Sequence, residues 1–211
     1  MSDTPLNPLD SPSLPGVSDT PQITLASASP RRRELLQQIQ VCCEVLPVDI
    51  DESALAGEAP EQHVQRLAQQ KAAAGFALQP LRPALGSDTI VVIDNEVLGK
   101  PADRQHAIEM LSKLSGRSHQ VMTAVALHSA DKQGGLLSTS EVCLCELSAA
   151  QIEAYWQTGE PLDKAGGYAV QGLAAQFIVT ISGSYSGIMG LPLYETAKLL
   201  RQHGVYTGVP G

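Results

Sequence analysis

The stretch ITLASASPRRRELL, residues 23–36, joins an apolar strand to a helix through a few small residues. We predict a strand over 23–26 and a helix from Pro30, because proline at the first helical position has no hydrogen bond to lose. Ser29 directly before it is a favourable N-cap. The junction therefore places the free N–H groups of a helix start beside the hydroxyls of Ser27 and Ser29.

Three consecutive arginines, residues 31–33, occupy the first turn of this helix. Cations at a helix N-terminus oppose the helix dipole at a cost of about 0.3–1 kcal/mol each. Backbone N–H groups, two hydroxyls and several guanidiniums together indicate a pocket for an anion, most simply a phosphate. The alternative is a solvated basic helix start without a function.

Composition limits the classes of protein to which the chain can belong. Its 211 residues are 43% hydrophobic, enough for one globular domain or two small lobes with a substantial core. A net charge of −8 argues against general binding to nucleic acid or anionic membranes, and no apolar run is long enough to span a membrane. The four cysteines lack zinc-ribbon spacing and are predicted to be reduced, as in a cytosolic protein.

Strand and helix patterns alternate along most of the chain. Residues 1–21 are rich in proline and serine and are predicted to form a disordered leader before a domain over 22–211. The predicted helices are 30–40, 61–78, 103–116, 148–158 and 192–204, and the predicted strands are 23–26, 42–47, 89–93, 96–98, 119–128, 136–147 and 177–181. Long antiparallel strands among helices indicate an α/β fold with a mixed sheet rather than a doubly wound parallel one.

Lys71 lies at the centre of an apolar helical stripe, with Leu67, Ala68 and Gly75 around it. A lysine in this place needs a partner to offset its desolvation. It either extends past the edge of the core to solvent or points into a cleft, where an anionic ligand would be that partner.

Asp88 comes directly before the apolar run 90–93. A carboxylate at the edge of a buried strand can bind a divalent metal or act as a base, although an aspartate that only forms a turn is the alternative. Lys100 follows the next hairpin and can return to the same edge, or it is an ordinary surface lysine.

The segment 163–172 is rich in glycine and contains Gln171, whose amide has the donor and the acceptor needed to read a base edge. Any flexible loop could show the same pattern. The chain has no P-loop, no dinucleotide fingerprint, no zinc-spaced histidines and no serine nucleophile elbow.

Taken together, these segments resemble the Maf-like nucleotide pyrophosphatase family over about residues 22–203. The matching segments occur in the family's order and are 26–32, 66–68 with Lys71, 86–89, 100–101, and 163–166 leading to 171–172. The resemblance implies an elongated mixed α/β structure with a central cleft between two lobes, similar to inosine triphosphate pyrophosphatases.

The resemblance also implies an activity and the residues that carry it. Members are cytoplasmic enzymes that use Mg²⁺ or Mn²⁺ to hydrolyse nucleoside triphosphates to the monophosphate and pyrophosphate, and they are associated with removing non-standard nucleotides and restraining septum formation. Asp88 matches the catalytic acid/base, and Arg31, Thr89 and Gln171 match the specificity positions. The pattern Asp-Thr with Gln is that of the branch that prefers dTTP and UTP, whereas another branch prefers 7-methyl-GTP.

The expected site combines a cationic clamp with a metal held by Glu52 and Asp88. The residues expected to hold the nucleotide are Ser27, Ser29, Arg31, Arg32, Lys71, Thr89, Lys100, Lys164 and Gln171. Three alternatives stay open: a nucleotide-sensing regulator of septum formation with little turnover, the same chemistry on 7-methyl-GTP, and a nucleotide transferase or kinase, against which the missing P-loop argues. The oligomeric state is also open, with a homodimer among the assemblies considered.

Overall fold

The computed structural model describes residues 20–209, so the predicted leader lies outside this range apart from its last two residues. Within the range, the strands are β1 (Ile23–Leu25), β2 (Cys43–Val45), β3 (Ala84–Ile93), β4 (Glu96–Leu98), β5 (Ser118–His128), β6 (Gln133–Leu144) and β7 (Ile178–Ser182). The helices are α1 (Pro30–Gln38), α2 (Pro60–Leu78), α3 (Arg104–Leu114), α4 (Ala149–Gln157), α5 (Tyr185–Ile188) and α6 (Leu193–Gln202), with 3₁₀ turns at Ala165–Gly167 and Leu173–Phe177.

The described strands form one mixed sheet in the order β2-β1-β3-β5-β6-β7, with β4 paired to β3. Strand β1 runs parallel to β2 and β3, and the other pairs are antiparallel. The predicted α/β class with a mixed sheet is therefore confirmed. None of the described helices is long and apolar enough to cross a membrane.

The predicted boundaries were wrong at two strands. Strand β3 begins at Ala84 rather than at residue 89, so Asp88 lies in the middle of the strand and not before it. Strand β6 begins at Gln133, because Gly134 and Gly135 pair with β5 instead of forming the predicted turn. In both cases, glycine or polar residues interrupt the apolar pattern, while neighbouring strands supply the hydrogen bonds that keep the backbone extended.

Two helix predictions also needed correction. Ser29 occupies the N-cap position of α1 as predicted, but its side chain makes no capping bond; instead, its backbone N–H donates to the Ser27 hydroxyl at 3.2 Å. The four-residue helix α5 was not predicted, because it lies in the glycine-rich region where no periodic pattern can be recognised. Asp103 caps α3 and Ser148 caps α4, and each side chain accepts from a backbone N–H of the first turn.

A gap along one side of β3 gives the molecule its cleft. On one side, β5 pairs with β3 along almost its whole length. On the other side, β1 pairs only with Ala84 and Leu85, and β4 pairs only with the segment 91–93. The segment 86–90 therefore has no partner strand on that side, and Asp88 lies at its centre.

Gly86 lets α2 approach this part of the sheet closely. A Cβ atom at Gly86 would lie 2.2 Å from the carbonyl oxygen of Ala68 and 2.4 Å from the backbone nitrogen of Ala72. Side chains alternate along a strand, so Asp88 projects to the same face as Gly86, toward α2. This close packing brings Asp88 within reach of Lys71, one turn along from Ala68.

Buried apolar residues form clusters on either side of the gap. One cluster joins β1 and α1 to the N-terminal part of β3 and to α6, and its members include Ile23, Leu35, Leu85 and Leu200. Another joins the C-terminal part of β3 to α3 and α4, with Val91, Leu111 and Tyr155 among its members. The cleft lies between these two packed regions and is open to side chains from both.

Candidate active site

A single cleft of about 980 Å³ brings the predicted site residues together. All eleven residues predicted for the site line this cleft: Ser27, Ser29, Arg31, Arg32, Glu52, Lys71, Asp88, Thr89, Lys100, Lys164 and Gln171. They come from seven separate segments of the chain, so their convergence depends on the fold rather than on proximity in the sequence.

Lys71 bridges two carboxylates inside the cleft. Its Nζ atom lies 2.7 Å from Asp88 Oδ1 and 2.6 Å from Glu52 Oε1. The side chains of Lys71 and Asp88 are each 11% exposed, whereas that of Glu52 is 52% exposed. The lysine therefore points into the cleft rather than out to solvent, and in this structure its partners are carboxylates. Burial alone would raise the pKa of Glu52, but the ammonium groups of Lys71 and Lys100 and the Arg32 guanidinium together outweigh it, and the net shift is downward.

Asp88 and Glu52 are chemically suited to a hard divalent cation. Both carboxylates reach the same ammonium group, so their oxygens converge on one small region of the cleft. Mg²⁺ is commonly held by one or two carboxylates, with substrate phosphates and water completing its shell. Among residues 20–209, no group of three or more histidine, cysteine, aspartate or glutamate side chains is arranged to hold a metal. The two carboxylates therefore fit a metal whose remaining ligands come from a bound phosphate and water.

The Arg32 guanidinium donates its hydrogen bonds to other groups of the protein. Its Nε atom donates to the Gly190 carbonyl at 2.9 Å, Nη1 donates to the Ser27 hydroxyl at 3.0 Å, and Nη2 lies 3.4 Å from the Thr89 hydroxyl. Burial lowers the pKa of this guanidinium, and the Asp88 carboxylate opposes that effect. Arg32 therefore ties the loop after β1 to β3 and brings a positive charge to the floor of the cleft.

The hydroxyl of Thr89 belongs to the same network. It lies 3.0 Å from the hydroxyl of Thr123, which donates to the Gly187 carbonyl at 2.8 Å. The Thr123 hydroxyl is the donor toward both oxygens, so the Thr89 oxygen accepts from Thr123 and from Arg32. Thr89 thus lines the cleft with its hydroxyl already engaged.

Four cations of the cleft have no carboxylate partner among the described residues: Arg32, whose donors bind a carbonyl and two hydroxyls, and Arg31, Lys100 and Lys164. Lys164 donates only to the Leu162 carbonyl at 3.1 Å. Burial lowers the pKa of this amine, and the nearby Arg31 guanidinium lowers it further. Positive groups that repel one another are stabilised by an anion placed between them, and a triphosphate supplies several negative charges.

A cluster missed in the sequence analysis fixes the loop that carries Glu52. Both oxygens of Glu58 accept from Arg66, at 2.6 and 2.7 Å, and Oε2 also lies 3.0 Å from His63 Nδ1. Arg66 further donates to the carbonyl of Ser53, the residue next to Glu52, at 2.9 Å. In the sequence analysis, Arg66 appears only within the family segment 66–68. The eight-residue spacing between Glu58 and Arg66 gives no periodic signal, so the sequence pattern did not predict their contact.

This cluster should make folding stability sensitive to acid. Arg66 holds the pKa of the Glu58 carboxyl well below its usual range. The stabilisation is therefore fully present above the unfolded pKa of about 4.3 and is lost as the pH falls below it. We expect the stability of Glu58→Gln, measured by urea unfolding at a series of pH values, to decline less on acidification than that of the parent. Glu61→Gln, at an exposed glutamate in the first turn of α2, is the control, and equal acid dependence in all three proteins would contradict the expectation.

The loop that carries Gln171 is fixed to the hairpin before Lys100. The backbone N–H of Gly166 donates to the carbonyl of Gly99 at 2.9 Å. Gly166 has a φ of +68°, and a Cβ atom there would lie 2.9 Å from the Val91 side chain, so only glycine fits. Gln171 itself is exposed and lines the cleft.

Residues 22–203 match the model of a family described as Maf-like protein. The chain belongs to the Maf family. This match spans both packed regions and every segment that lines the cleft. The family assignment suggested by the sequence segments is therefore confirmed.

Several relatives within the Maf family carry the name dTTP/UTP pyrophosphatase. The protein of Pseudoalteromonas atlantica is 54% identical over 182 residues, covering 84% of this chain and 95% of its own length. The protein of Alkalilimnicola ehrlichii is 53% identical over 186 residues, covering 85% of this chain and 92% of its own.

Among solved structures, this Maf chain is similar to the Ham1 protein of Staphylococcus aureus, with a TM-score of 0.45 and 13% identity over 86% of this chain and 96% of that one. A HAM1 protein from Coxiella burnetii gives a TM-score of 0.43 at 20% identity, covering 59% of this chain and 73% of that one. The fold class stated above rests on the sheet order of this chain itself.

Proposed function

We propose that this protein hydrolyses dTTP and UTP to the monophosphate and pyrophosphate. The observation that carries the proposal is the buried Asp88 carboxylate, which shares one cleft with four cations that lack carboxylate partners. The names of the relatives and the family membership support the same activity. A triphosphate matches the cations by charge, and its α-phosphorus would be attacked next to Asp88.

In this mechanism the protein's own groups divide the work. Arg31, Lys100 and Lys164 bind the phosphates, and Lys71 orients the Asp88 carboxylate. Asp88 accepts the proton of the attacking water, and the negative charge that develops on the phosphoryl oxygens is stabilised by the surrounding cations. Asp88 and Glu52 would hold a divalent cation together with the substrate, and that cation would supply further charge neutralisation.

Base selection is assigned to Gln171, whose amide has both a donor and an acceptor. A uracil or thymine ring presents carbonyl acceptors and one N–H donor, and a neutral amide can satisfy one of each. A 7-methylguanine ring instead presents N1–H and N2–H donors, which a carboxylate would serve better. Thr89 would shape the pocket mainly by its size and through Arg32, because its hydroxyl is engaged within the protein.

The direct test is a panel of nucleoside triphosphates assayed for pyrophosphate release with Mg²⁺ and with Mn²⁺. We expect kcat/KM for dTTP and UTP to exceed that for ATP, GTP and 7-methyl-GTP. Pyrophosphate as the sole co-product would exclude a transferase or kinase. A profile led by 7-methyl-GTP would overturn the branch assignment, and binding without turnover would favour the nucleotide-sensing alternative.

Changing Gln171 to glutamate should reduce the use of pyrimidines specifically. The carboxylate offers acceptors only, so it cannot donate to a ring carbonyl, and a polar mismatch of this kind costs more than the roughly 10–200-fold of a missing methylene. The measurement is kcat/KM for UTP relative to that for ATP. Gln176→Glu, a control at an exposed residue outside the cleft lining, should keep the parent's ratio. An unchanged ratio in Gln171→Glu would remove Gln171 from base selection.

Two further features belong to the proposal. A cytoplasmic location is supported by Cys43, Cys143 and Cys145, which are free thiols, as is usual in a reducing compartment. Dependence on Mg²⁺ or Mn²⁺ is supported by the hard oxygen donors of Glu52 and Asp88. Nucleoside triphosphate is the partner proposed, and a homodimer stays a prediction.

A further inference from the structure

We infer that Tyr155 and Glu160 are positioning residues for base selection, because they hold the backbone on both sides of Gln171. Neither residue lines the cleft. Their effect must therefore pass through the loop that carries Gln171 and not through contact with the nucleotide. The inference rests on the proposed function, in which Gln171 contacts the base.

On the N-terminal side of Gln171, the contact is made by the Tyr155 hydroxyl. It accepts a hydrogen bond from the backbone N–H of Ala169 at 3.2 Å and donates to Glu160 Oε1 at 2.8 Å. The ring of Tyr155 is buried and packs edge-on against Phe177, with ring centroids 5.7 Å apart. The hydroxyl therefore has a fixed position from which to hold the loop.

On the C-terminal side, the contacts are made by the Glu160 carboxylate. Its Oε2 atom accepts from the N–H of Leu173 at 2.8 Å, and Oε1 accepts from the N–H of Ala174 at 3.1 Å. These two N–H groups begin the 3₁₀ turn that follows Gln171, where the backbone donors have no partner within the turn itself. The carboxylate thus caps the turn and fixes its start.

Gly172 shows how closely the carboxylate packs against this loop. A Cβ atom at Gly172 would lie 2.3 Å from Glu160 Oε2 and 2.5 Å from Oε1. Any larger residue would push the carboxylate away from Leu173 and Ala174. Position 172 therefore requires glycine, because the Glu160 side chain passes next to it to reach Leu173 and Ala174. This packing gives a physical reason for the glycine in the family segment 171–172.

The protonation states keep this arrangement in one orientation. Burial raises the pKa of the Tyr155 hydroxyl, and the adjacent carboxylate raises it further, so the phenol stays a donor. Burial would raise the pKa of Glu160 as well, but the hydrogen bonds from Leu173, Tyr155 and Ala174 lower it and prevail. Glu160 stays ionised and accepts from all three donors.

Gln171 depends on this support because its side chain is exposed and its amide makes no hydrogen bond within residues 20–209. The side chain has several rotatable bonds, so the position of its backbone decides which atoms the amide can reach. A backbone held from both sides keeps the amide within a small volume of the cleft and lowers the entropy lost on binding a base.

The test compares Glu160→Gln and Tyr155→Phe with the parent and with the control Glu153→Gln, a half-exposed carboxylate on α4 that pairs with Arg104 and contacts neither Gln171 nor its loop. Glutamine at 160 has a single amide oxygen for the donors that Glu160 now satisfies with two, and phenylalanine at 155 keeps the ring packing while removing the hydroxyl. The probes are UTP as substrate and two inhibitors, UMP, which carries the base, and inorganic pyrophosphate, which does not. Thermal unfolding of each protein accompanies the kinetics.

We expect kcat/KM for UTP to fall about 10- to 100-fold in both variants, since a misplacement of about 1 Å can cost about 10²-fold. In both variants the inhibition constant of UMP should rise, while that of pyrophosphate stays at the parent's value. In the control Glu153→Gln, the inhibition constants of both UMP and pyrophosphate should equal those of the parent. Equal weakening of UMP and pyrophosphate would mean a merely structural role and would overturn the inference. Kinetic and inhibition constants equal to the parent's in the folded Tyr155→Phe variant would also overturn the inference. If Glu160→Gln does not fold, the result for Tyr155→Phe alone tests the inference. A parent that does not hydrolyse UTP would refute the proposed function instead, before any variant is compared.

Discussion

Replacing Asp88 by asparagine should abolish turnover and leave the protein folded. The amide is nearly isosteric and can still accept from Lys71 through its oxygen, so the packing around β3 is retained. It can neither take up a proton from water nor bind a metal strongly. We expect kcat to fall by at least about 10²-fold, the lower range for the loss of a general base. Initial rates of pyrophosphate release from UTP give the measurement.

The matched control is Asp49→Asn, an exposed carboxylate in the loop between β2 and α2, which does not line the cleft. It should keep the parent's rate and melting temperature, whereas Asp88→Asn should stay folded with a lower melting temperature, because Lys71 then keeps only the Glu52 carboxylate as a charged partner. Near-normal turnover in purified Asp88→Asn would remove Asp88 from the role of base. The half-exposed Glu52, which faces the same ammonium group, would then be the next residue to test.

The sequence allowed the polar residues of the cleft to be predicted where they interrupted a regular pattern. Lys71 stood out because a charge at the centre of an apolar helical stripe is costly to bury, and the structure shows it buried between two carboxylates. Asp88 stood out for its place next to an apolar run, although the strand was predicted to start too late. Its neighbours Gly86 and Ser87 have low strand propensity, and hydrogen bonds to β5 hold them in the strand.

The residues that the sequence did not reveal act through contacts that have no period. Glu58 and Arg66 pair across the start of α2, and Glu160 reaches the N–H groups of residues thirteen and fourteen positions away. Such contacts depend on how a loop returns to its helix, which local propensity does not encode. Similarly, the engagement of the Thr89 hydroxyl by Arg32 and Thr123 appears only when three elements are assembled.

Replacing Lys71 by methionine should have the largest effect on stability. Methionine preserves the apolar contacts of the lysine stem but leaves Asp88 as a buried carboxylate without its ammonium partner. Removing one partner of a buried ion pair costs about 3–5 kcal/mol, because the remaining charge stays desolvated. We expect a loss of this size in the free energy of unfolding measured with urea at neutral pH, together with weaker binding of UTP.

The double variant Lys71→Met/Asp88→Asn separates the ion pair from general effects of the substitution. Once the carboxylate is neutral, the loss of the ammonium should cost far less, so the double variant should be more stable than Lys71→Met alone. Lys113→Met, which removes a lysine paired with the exposed Glu96, should lose only about 0–1 kcal/mol. If Lys71 contributed only the packing of its stem, Lys71→Met would be as stable as the parent and would bind UTP equally well. That result would contradict both the buried ion pair and the place of Lys71 in the site.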